Sequence, residues 1–266
     1  MPSARAPRRR PLVRSLATAS AFAVGAVLLP ASPALAQAPS SARTSVAVAA
    51  AQPVAGVAAA TRPWKAPWSG TLRRGAEGPQ VRAAQLRLVA LGYWLDGVDG
   101  QYGSQTAQAV LALQKTAGLR RTATINKETT VALMRGIRPQ ARSKQGSLFE
   151  VDLKRQVLFV VVKGRTAWAI NTSTGSNTYY EQDGVRKFAR TPRGRFAINR
   201  QIDGERVAPL GVLFRPKYFY GGYAIHGSGS IPAYPASHGC VRVSNAAINW
   251  MWSSGVAPIG RRIWVY

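Results

Sequence analysis

The sequence predicts an α+β multidomain protein: a small three-helix N-terminal domain followed by a mostly β, sandwich-like domain with one helix near its C-terminus. Three observations predict it. Apolar residues recur at helical spacing between Thr71 and Gly136; from Ser147 onward they alternate or run in short blocks bounded by Gly, Pro and Asn; and a last helical pattern after Ser244 precedes a closing apolar stretch.

The first helix is read from Val81, Ala84, Leu88 and Leu91 on one face, the second from Ala107, Val110, Leu111 and Gln114. A third, short helix has Asn126 as its N-cap and ends at Gly136, with Pro139 beyond. Between the first two, Leu91 to Gly103 is dense in Gly and Asp, the residues that tight turns require. In the second region Val151 and Leu153 alternate with polar neighbours, and Val157 to Val162 is a continuous apolar run of strand length. Ala167 to Ile170, Arg195 to Ile198 and Val212 to Phe214 read as further strands. Ser244 caps the last helix, which runs through Ile248 and Met251 to Gly255, and Arg262 to Tyr266 closes as a strand.

Residues 1–36 read as a signal peptide: a basic start with Arg8, Arg9 and Arg10, an apolar stretch from Leu16 to Leu29, and Ala34-Leu35-Ala36 as the cleavage signal. The apolar stretch falls short of the ~20 residues that span a bilayer, so no membrane span is expected after cleavage. The Sec and Tat routes both fit. Residues 37–67 are an Ala/Pro-rich linker with Trp64 and Trp68 at its end, expected to dock on the domain that follows. The expected domains are residues 68–138 and 147–266, joined by a short basic linker at residues 139–146.

The net charge is +26, and five of the arginines lie in the first 36 residues, so the remainder still carries +21. An exported chain of that charge meets the anionic polymers of a cell envelope. No basic run is interleaved with aromatics as single-strand nucleic-acid binding needs, and nucleic acid is not expected as a partner.

The single cysteine, Cys240, has no internal disulfide partner. Both histidines, His226 and His238, lie within fourteen positions of it. An unperturbed thiol is only a few per cent ionised at neutral pH, so a cysteine nucleophile needs an adjacent imidazole, and either histidine fits that need. Gly239 permits a tight bend between His238 and Cys240, and the amides of Gly239 and Cys240 are candidates for an oxyanion hole. His226 can take the thiol proton while a nearby carbonyl accepts its other N–H. None of the ten acidic residues lies between Arg206 and Tyr266, so no carboxylate is at hand to orient an imidazole. A different chemistry fits the same residue types: His226, His238 and Cys240 as three zinc ligands.

Two stretches resemble known families. Leu72-Arg73-Arg74-Gly75, Val81, Gln85, Leu91-Gly92-Tyr93, Asp99-Gly100-Gln101-Tyr102-Gly103, Thr106, Gln114 and Gly118-Leu119 resemble the three-helix peptidoglycan-binding domain of cell-wall enzymes. His226-Gly227 followed by Ser237-His238-Gly239-Cys240-Val241-Arg242 resembles the signature of the L,D-transpeptidase catalytic domain, with Thr174-Gly175-Ser176 and Thr191-Pro192-Arg193-Gly194-Arg195-Phe196 as supporting elements. The second resemblance implies Cys240 as nucleophile, His226 as base, the Gly227 carbonyl as its orienter, Ser237, His238 and Gly239 as the oxyanion wall, and Arg242 as a ligand for a substrate carboxylate. It implies transfer of a peptidoglycan stem peptide through a thioester to an amine, giving a 3-3 crosslink, with no cofactor and no metal. Water as acceptor would make an L,D-carboxypeptidase, and an inactive wall-binding scaffold is the reading from another class. The implied location is outside the cytoplasm, secreted to the cell wall or periplasm. Ten residues separate His226 from Ser237, and Pro232 and Pro235 make this short connection stiff.

Overall fold

The computed structural model describes residues 63–266. The expected signal peptide and nearly all of the expected linker lie outside them. Three helices come first: α1 (Pro79–Leu91), α2 (Ser104–Thr116) and α3 (Lys127–Met134). Their buried faces carry Val81, Ala84, Leu88, Val110, Leu113 and Leu133. Asn126 caps α3 by accepting the Thr129 N–H at 3.0 Å. Gly92, in the left-handed region at φ 94°, ends α1.

Two buried glutamines tie the turns of this module to its helices. Gln85 Nε2 donates to Asp99 Oδ1 (2.7 Å) and its Oε1 accepts the Gly100 N–H (2.8 Å). Gln114 Nε2 donates to the Thr124 carbonyl (2.9 Å) and to Thr129 Oγ1 (3.0 Å), while its Oε1 accepts the Ala123 N–H (3.0 Å). Each amide is buried at a helical core position because the neighbouring turn and the next helix supply its partners. Trp68 is buried, with its Nε1 donating to Thr130 Oγ1 (3.3 Å), and Trp64 packs on its edge.

Twelve strands follow in the described residues. β1 (Leu148–Asp152), β2 (Val157–Val162), β3 (Arg165–Asn171), β6 (Gly194–Ala197) and β12 (Arg262–Val265) form one sheet in the order β3-β2-β1-β12-β6, with β1 and β12 parallel. β7 (Arg200–Gln201), β9 (Gly211–Tyr220), β10 (Tyr223–Ser228) and β11 (Val241–Ser244) form a second in the order β11-β10-β9-β7, with β8 (Glu205–Ala208) also on β9. β4 (Tyr179–Gln182) and β5 (Val185–Phe188) make a separate hairpin. The last helix, α4 (Asn245–Ser253), is capped by Ser244 Oγ, which accepts the Ala247 N–H at 3.1 Å.

The first sheet is covered on both faces. Phe149, Val151, Leu158 and Val160 face the second sheet and α4, meeting Ile225, Val241, Val243 and Ile248. Leu148, Val157, Phe159 and Val161 face the other way and join the core of the helical module. This is the reason for the unbroken apolar run of β2, since a strand buried on both faces has no polar side to present. It also corrects the expectation for β1: the alternation of Val151 and Leu153 does not mark a solvent face, because all five residues of β1 are buried and the strand stops at Asp152.

The polar positions of β1 hold the chain together. Glu150, fully buried, accepts the N–H groups of Arg142 (2.8 Å) and Ser143 (2.7 Å) and the hydroxyl of Tyr266 (2.9 Å). The basic segment between the helices and β1 is thereby fastened to the sheet and to the C-terminus. The turn after α1 is fastened as well: the Trp94 N–H donates to the Ala169 carbonyl (3.0 Å) and the Ala169 N–H to the Gly92 carbonyl (2.8 Å).

Candidate active site

The pairing of β10 with β11 assembles the site. The two strands run parallel, with His226 beside Arg242 and Ile225 beside Val241. Ile225, Val241 and Val243 point into the core, so the alternate residues of both strands face outward together. That outward face carries His226 and Arg242, with Cys240 two positions before Arg242 and packed in a small cluster with Ala224 and Tyr218. The cysteine lies immediately before β11, at the end of a bend made by Gly239, whose φ of 139° is open to glycine and rarely to other residues. A Cβ at Gly239 would also overlap the Tyr223 ring and lie 3.0 Å from the Arg190 carbonyl oxygen.

His226 is 6% exposed, and its Nδ1 is 2.8 Å from the Gly227 carbonyl oxygen. A carbonyl only accepts, so the proton of this bond sits on Nδ1 and Nε2 carries the lone pair. Burial drives the His226 pKa down to about 4, the Gly227 hydrogen bond opposing and the positive charge of Arg242 assisting the fall. Cys240 is half-buried, with Sγ 3.8 Å from the Gly222 carbonyl oxygen. Burial pushes its thiol pKa up, against the pull of the Ala224 backbone N–H and of Arg242, both of which favour the thiolate. At rest the proton therefore stays on sulfur, and the imidazole is neutral. The Arg242 side chain makes no salt bridge among the described residues.

The residues before Cys240 form a closed set of hydrogen bonds. Ser237 Oγ donates to the Cys240 carbonyl (2.6 Å) and accepts the Gly239 N–H (3.0 Å). Of the two amides named as oxyanion donors, that of Gly239 is thus already engaged, which leaves that of Cys240. Thr191, whose part the sequence did not disclose, accepts the Gly175 N–H (2.9 Å) and donates to the Gly239 carbonyl (2.7 Å), joining both upstream motifs to the bend. Its only signal was its place at the head of Thr191-Pro192.

His238 is exposed and packs edge-on against Tyr180, with ring centroids 4.6 Å apart. His226 is buried on β10 with Nδ1 committed to a carbonyl, so the two imidazoles occupy different surroundings. No group of three His, Cys, Asp or Glu placed to hold a metal occurs among the described residues.

Gly227 is positioned for packing as well as for its carbonyl. A Cβ there would meet Asn245 Oδ1 at 2.7 Å, Ile248 Cγ2 at 2.7 Å and Phe214 Cδ1 at 2.8 Å, so glycine is what lets α4 lie against β10. Beside the Gly239 bend opens a cleft of about 490 Å³ walled by Tyr179, Phe188, Arg190, Pro192, Tyr220 and Tyr223. Two of its walls come from the β4–β5 hairpin, which the sequence did not reveal.

Residues 146–265 match the L,D-transpeptidase catalytic domain, and residues 77–133 match a putative peptidoglycan binding domain. The solved structure of the L,D-transpeptidase (residues 123–326) of Xylanimonas cellulosilytica is 50% identical, with a TM-score of 0.72, covering 75% of this chain and 99% of that one. A probable N-acetylmuramoyl-L-alanine amidase of Bacillus licheniformis is 32% identical over 117 residues, 43% of this chain and 33% of the relative. The N-acetylmuramoyl-L-alanine amidase CwlL of the same organism is 54% identical over 50 residues, 18% of this chain and 14% of the relative. The chain spans a third or less of the length of these two curated relatives. The solved transpeptidase is half identical and matches three quarters of this chain and nearly all of its own, and on that evidence the chain belongs to the L,D-transpeptidase family.

Proposed function

We propose that the protein is an extracytoplasmic L,D-transpeptidase that acts on peptidoglycan stem peptides through a thioester on Cys240. The observation that carries this reading is the alignment of His226, Cys240 and Arg242 on one outward face of the β10–β11 pair, with the imidazole tautomer set by the Gly227 carbonyl.

Cys240 Sγ attacks the carbonyl carbon of the third stem residue, and its proton passes to His226 Nε2. The Cys240 N–H faces the oxygen that becomes negative in the tetrahedral intermediate. His226 then returns the proton to the departing nitrogen, and D-alanine leaves as the amide bond breaks. The acceptor amine attacks the thioester and gives a proton to His226, which passes it to the departing sulfur and so regenerates the thiol and the neutral imidazole. No external energy source is needed, because the cleaved amide is exchanged for a new one through the covalent intermediate. Arg242, without a carboxylate partner among the described residues, suits a substrate carboxylate; Ser237, His238 and Gly239 shape the wall before the nucleophile.

Domain boundaries at 68–138 and 147–266 fit this division of work, with the helical module holding the wall. The excess of positive charge suits anionic wall polymers, and cleavage after Ala36 suits an exported enzyme. The test is incubation of the mature chain with a defined disaccharide tetrapeptide and mass analysis of the products. A 3-3 linked dimer with released D-alanine supports transpeptidation. Tripeptide alone reassigns the acceptor to water, and unchanged substrate with intact fold supports the scaffold reading.

A further inference from the structure

Lys115 is the least explicable residue of a module whose only task is to bind the wall. It lies in the last turn of α2, is 3% exposed, and forms no salt bridge among the described residues. Its Nζ donates instead to two carbonyls of the neighbouring sheet region, Gln156 at 3.0 Å and Thr172 at 2.9 Å. A buried ammonium is costly, and burial drives its pKa down to about 7, with the charge of Arg121 adding to the fall.

Both carbonyls belong to residues that lead to the nucleophile. The Thr172 hydroxyl donates to the Arg242 carbonyl at 2.7 Å. The Gln156 side chain accepts the Thr174 N–H (2.8 Å) and donates to Thr174 Oγ1 (2.6 Å). The Thr174 carbonyl in turn accepts the Ser237 N–H at 2.9 Å, and Ser237 Oγ holds the Cys240 carbonyl and the Gly239 N–H. Two short chains of bonds thus run from one lysine to the two flanks of Cys240.

A second contact reaches the same segment independently. Arg121, just beyond α2, donates to the Ala233 carbonyl at 2.8 Å, and Gln108 on α2 donates to the Ile231 carbonyl at 3.4 Å. Both carbonyls lie in the short connection between His226 and Ser237.

We propose that Lys115 is a positioning residue for the acyl-transfer centre: through Thr172 and Gln156 it fixes the segment that holds Ser237 and the Arg242 backbone. The helical module is then part of the catalytic apparatus as well as a wall anchor. This rests on the acyl transfer at Cys240 proposed above.

The test uses the full mature chain, a carbapenem as acyl donor and intact mass as readout, with Cys240→Ala as blank. Lys115→Met lowers the maximal acylation rate constant at least about tenfold, the size of effect expected when a reacting group is misplaced by a fraction of an ångström. The final fraction acylated stays at the wild-type level, and alkylation of Cys240 by iodoacetamide, which needs no oxyanion site, stays within about twofold. Thr172→Val shows the same direction, and Thr172→Ser, which keeps the hydroxyl, restores the wild-type rate. A role in folding alone would reduce the fraction that reacts and leave the rate per reactive molecule unchanged; that outcome overturns the proposal. If Lys115→Met does not fold, Thr172→Val decides, and a wild-type rate in that variant overturns it equally. Wild-type protein that takes up no carbapenem acyl group overturns the acyl-transfer reading itself, and this proposal with it.

Discussion

His226 Nδ1 lies 2.8 Å from the carbonyl oxygen of Gly227, the next residue in its own chain. The imidazole proposed as the base is therefore oriented by backbone, and no side-chain substitution removes that contact. Nε2 is left with its lone pair, available for the proton of Cys240 in the proposed reaction, and no acidic residue occurs in the sequence from Arg206 to Tyr266. Burial is the main cause of the low pKa of about 4, and the positive charge of Arg242 adds to it against the Gly227 hydrogen bond.

Substitution separates the proposed base, His226, from the proposed wall residue Ser237. His226→Ala lowers the acylation rate constant by about 10²- to 10⁴-fold, the usual contribution of a general base. Ser237→Ala costs less, because it removes two supporting hydrogen bonds and no proton acceptor. Intact-mass kinetics on both variants gives the order, and equal losses would mean that base and scaffold have been interchanged.

The pH dependence follows from the same burial. His226 titrates near 4 in the folded chain against an ordinary value of 6.5, so the unfolded chain binds a proton between these values that the folded chain does not. Stability therefore falls as pH drops from about 6.5 towards 4, by on the order of 3 kcal/mol at full effect. Acylation shows no acid limb between pH 5 and 7. Histidine NMR titration with parallel denaturant melts checks both, and an imidazole titrating at 6.5 would contradict the burial argument.

Lys115 adds a second slope at higher pH. Its folded value of about 7 lies below the ordinary 10.5, so the unfolded chain again holds the extra proton and stability rises as pH climbs from about 7 towards 10. Lys217, lowered to about 8 first by burial and then by Arg215, acts in the same sense. The raised thiol of Cys240 acts in the opposite sense above about 9. Denaturant midpoints measured from pH 7 to 9 should increase in the wild type and increase less in Lys115→Met; parallel slopes would show that the ammonium is not held as described.

Two substitutions test the packing that carries the site. Gly227→Ala forces a methyl against Asn245, Ile248 and Phe214, and should cost about 1–3 kcal/mol through displacement of α4. Glu150→Ala strands the N–H groups of Arg142 and Ser143 and the hydroxyl of Tyr266, for a loss of about 3 kcal/mol and faster proteolysis in the segment before β1. Thermal melts and limited proteolysis read these effects. An unchanged Tm in either variant would sink the corresponding contact.

Helices and their caps were legible because their signals are local: Asn126 and Ser244 each sit beside the N–H they accept. The run Val157 to Val162 was legible as a strand, but not that both its faces are buried, since that depends on a helical module far away in sequence. Strand β9 was foreseen only as Val212 to Phe214. It continues to Tyr220 through Pro216, because Arg215 at φ 50° bends the strand at that point. The half-exposed hairpin β4–β5 and the short strands β7 and β8 carry too little apolar pattern to be read. In the site, motif residues were visible as a cluster around Cys240, whereas the side chains of Thr191, Thr172 and Gln156 bond to backbone groups far away in sequence, partners that no residue pattern records. Lys115 and Glu150 are buried, their partners being mostly carbonyls and amides that no sequence pattern records.

The most direct measurement is peptide mapping of the covalent intermediate. Mature protein is mixed with a tetrapeptide muropeptide, quenched in acid within the first turnover, and digested. The expected product is a tripeptide acyl group on the peptide containing Cys240, labile to hydroxylamine and absent from Cys240→Ala. Turnover retained in Cys240→Ala, or abolished in the wild type by a metal chelator, would contradict it.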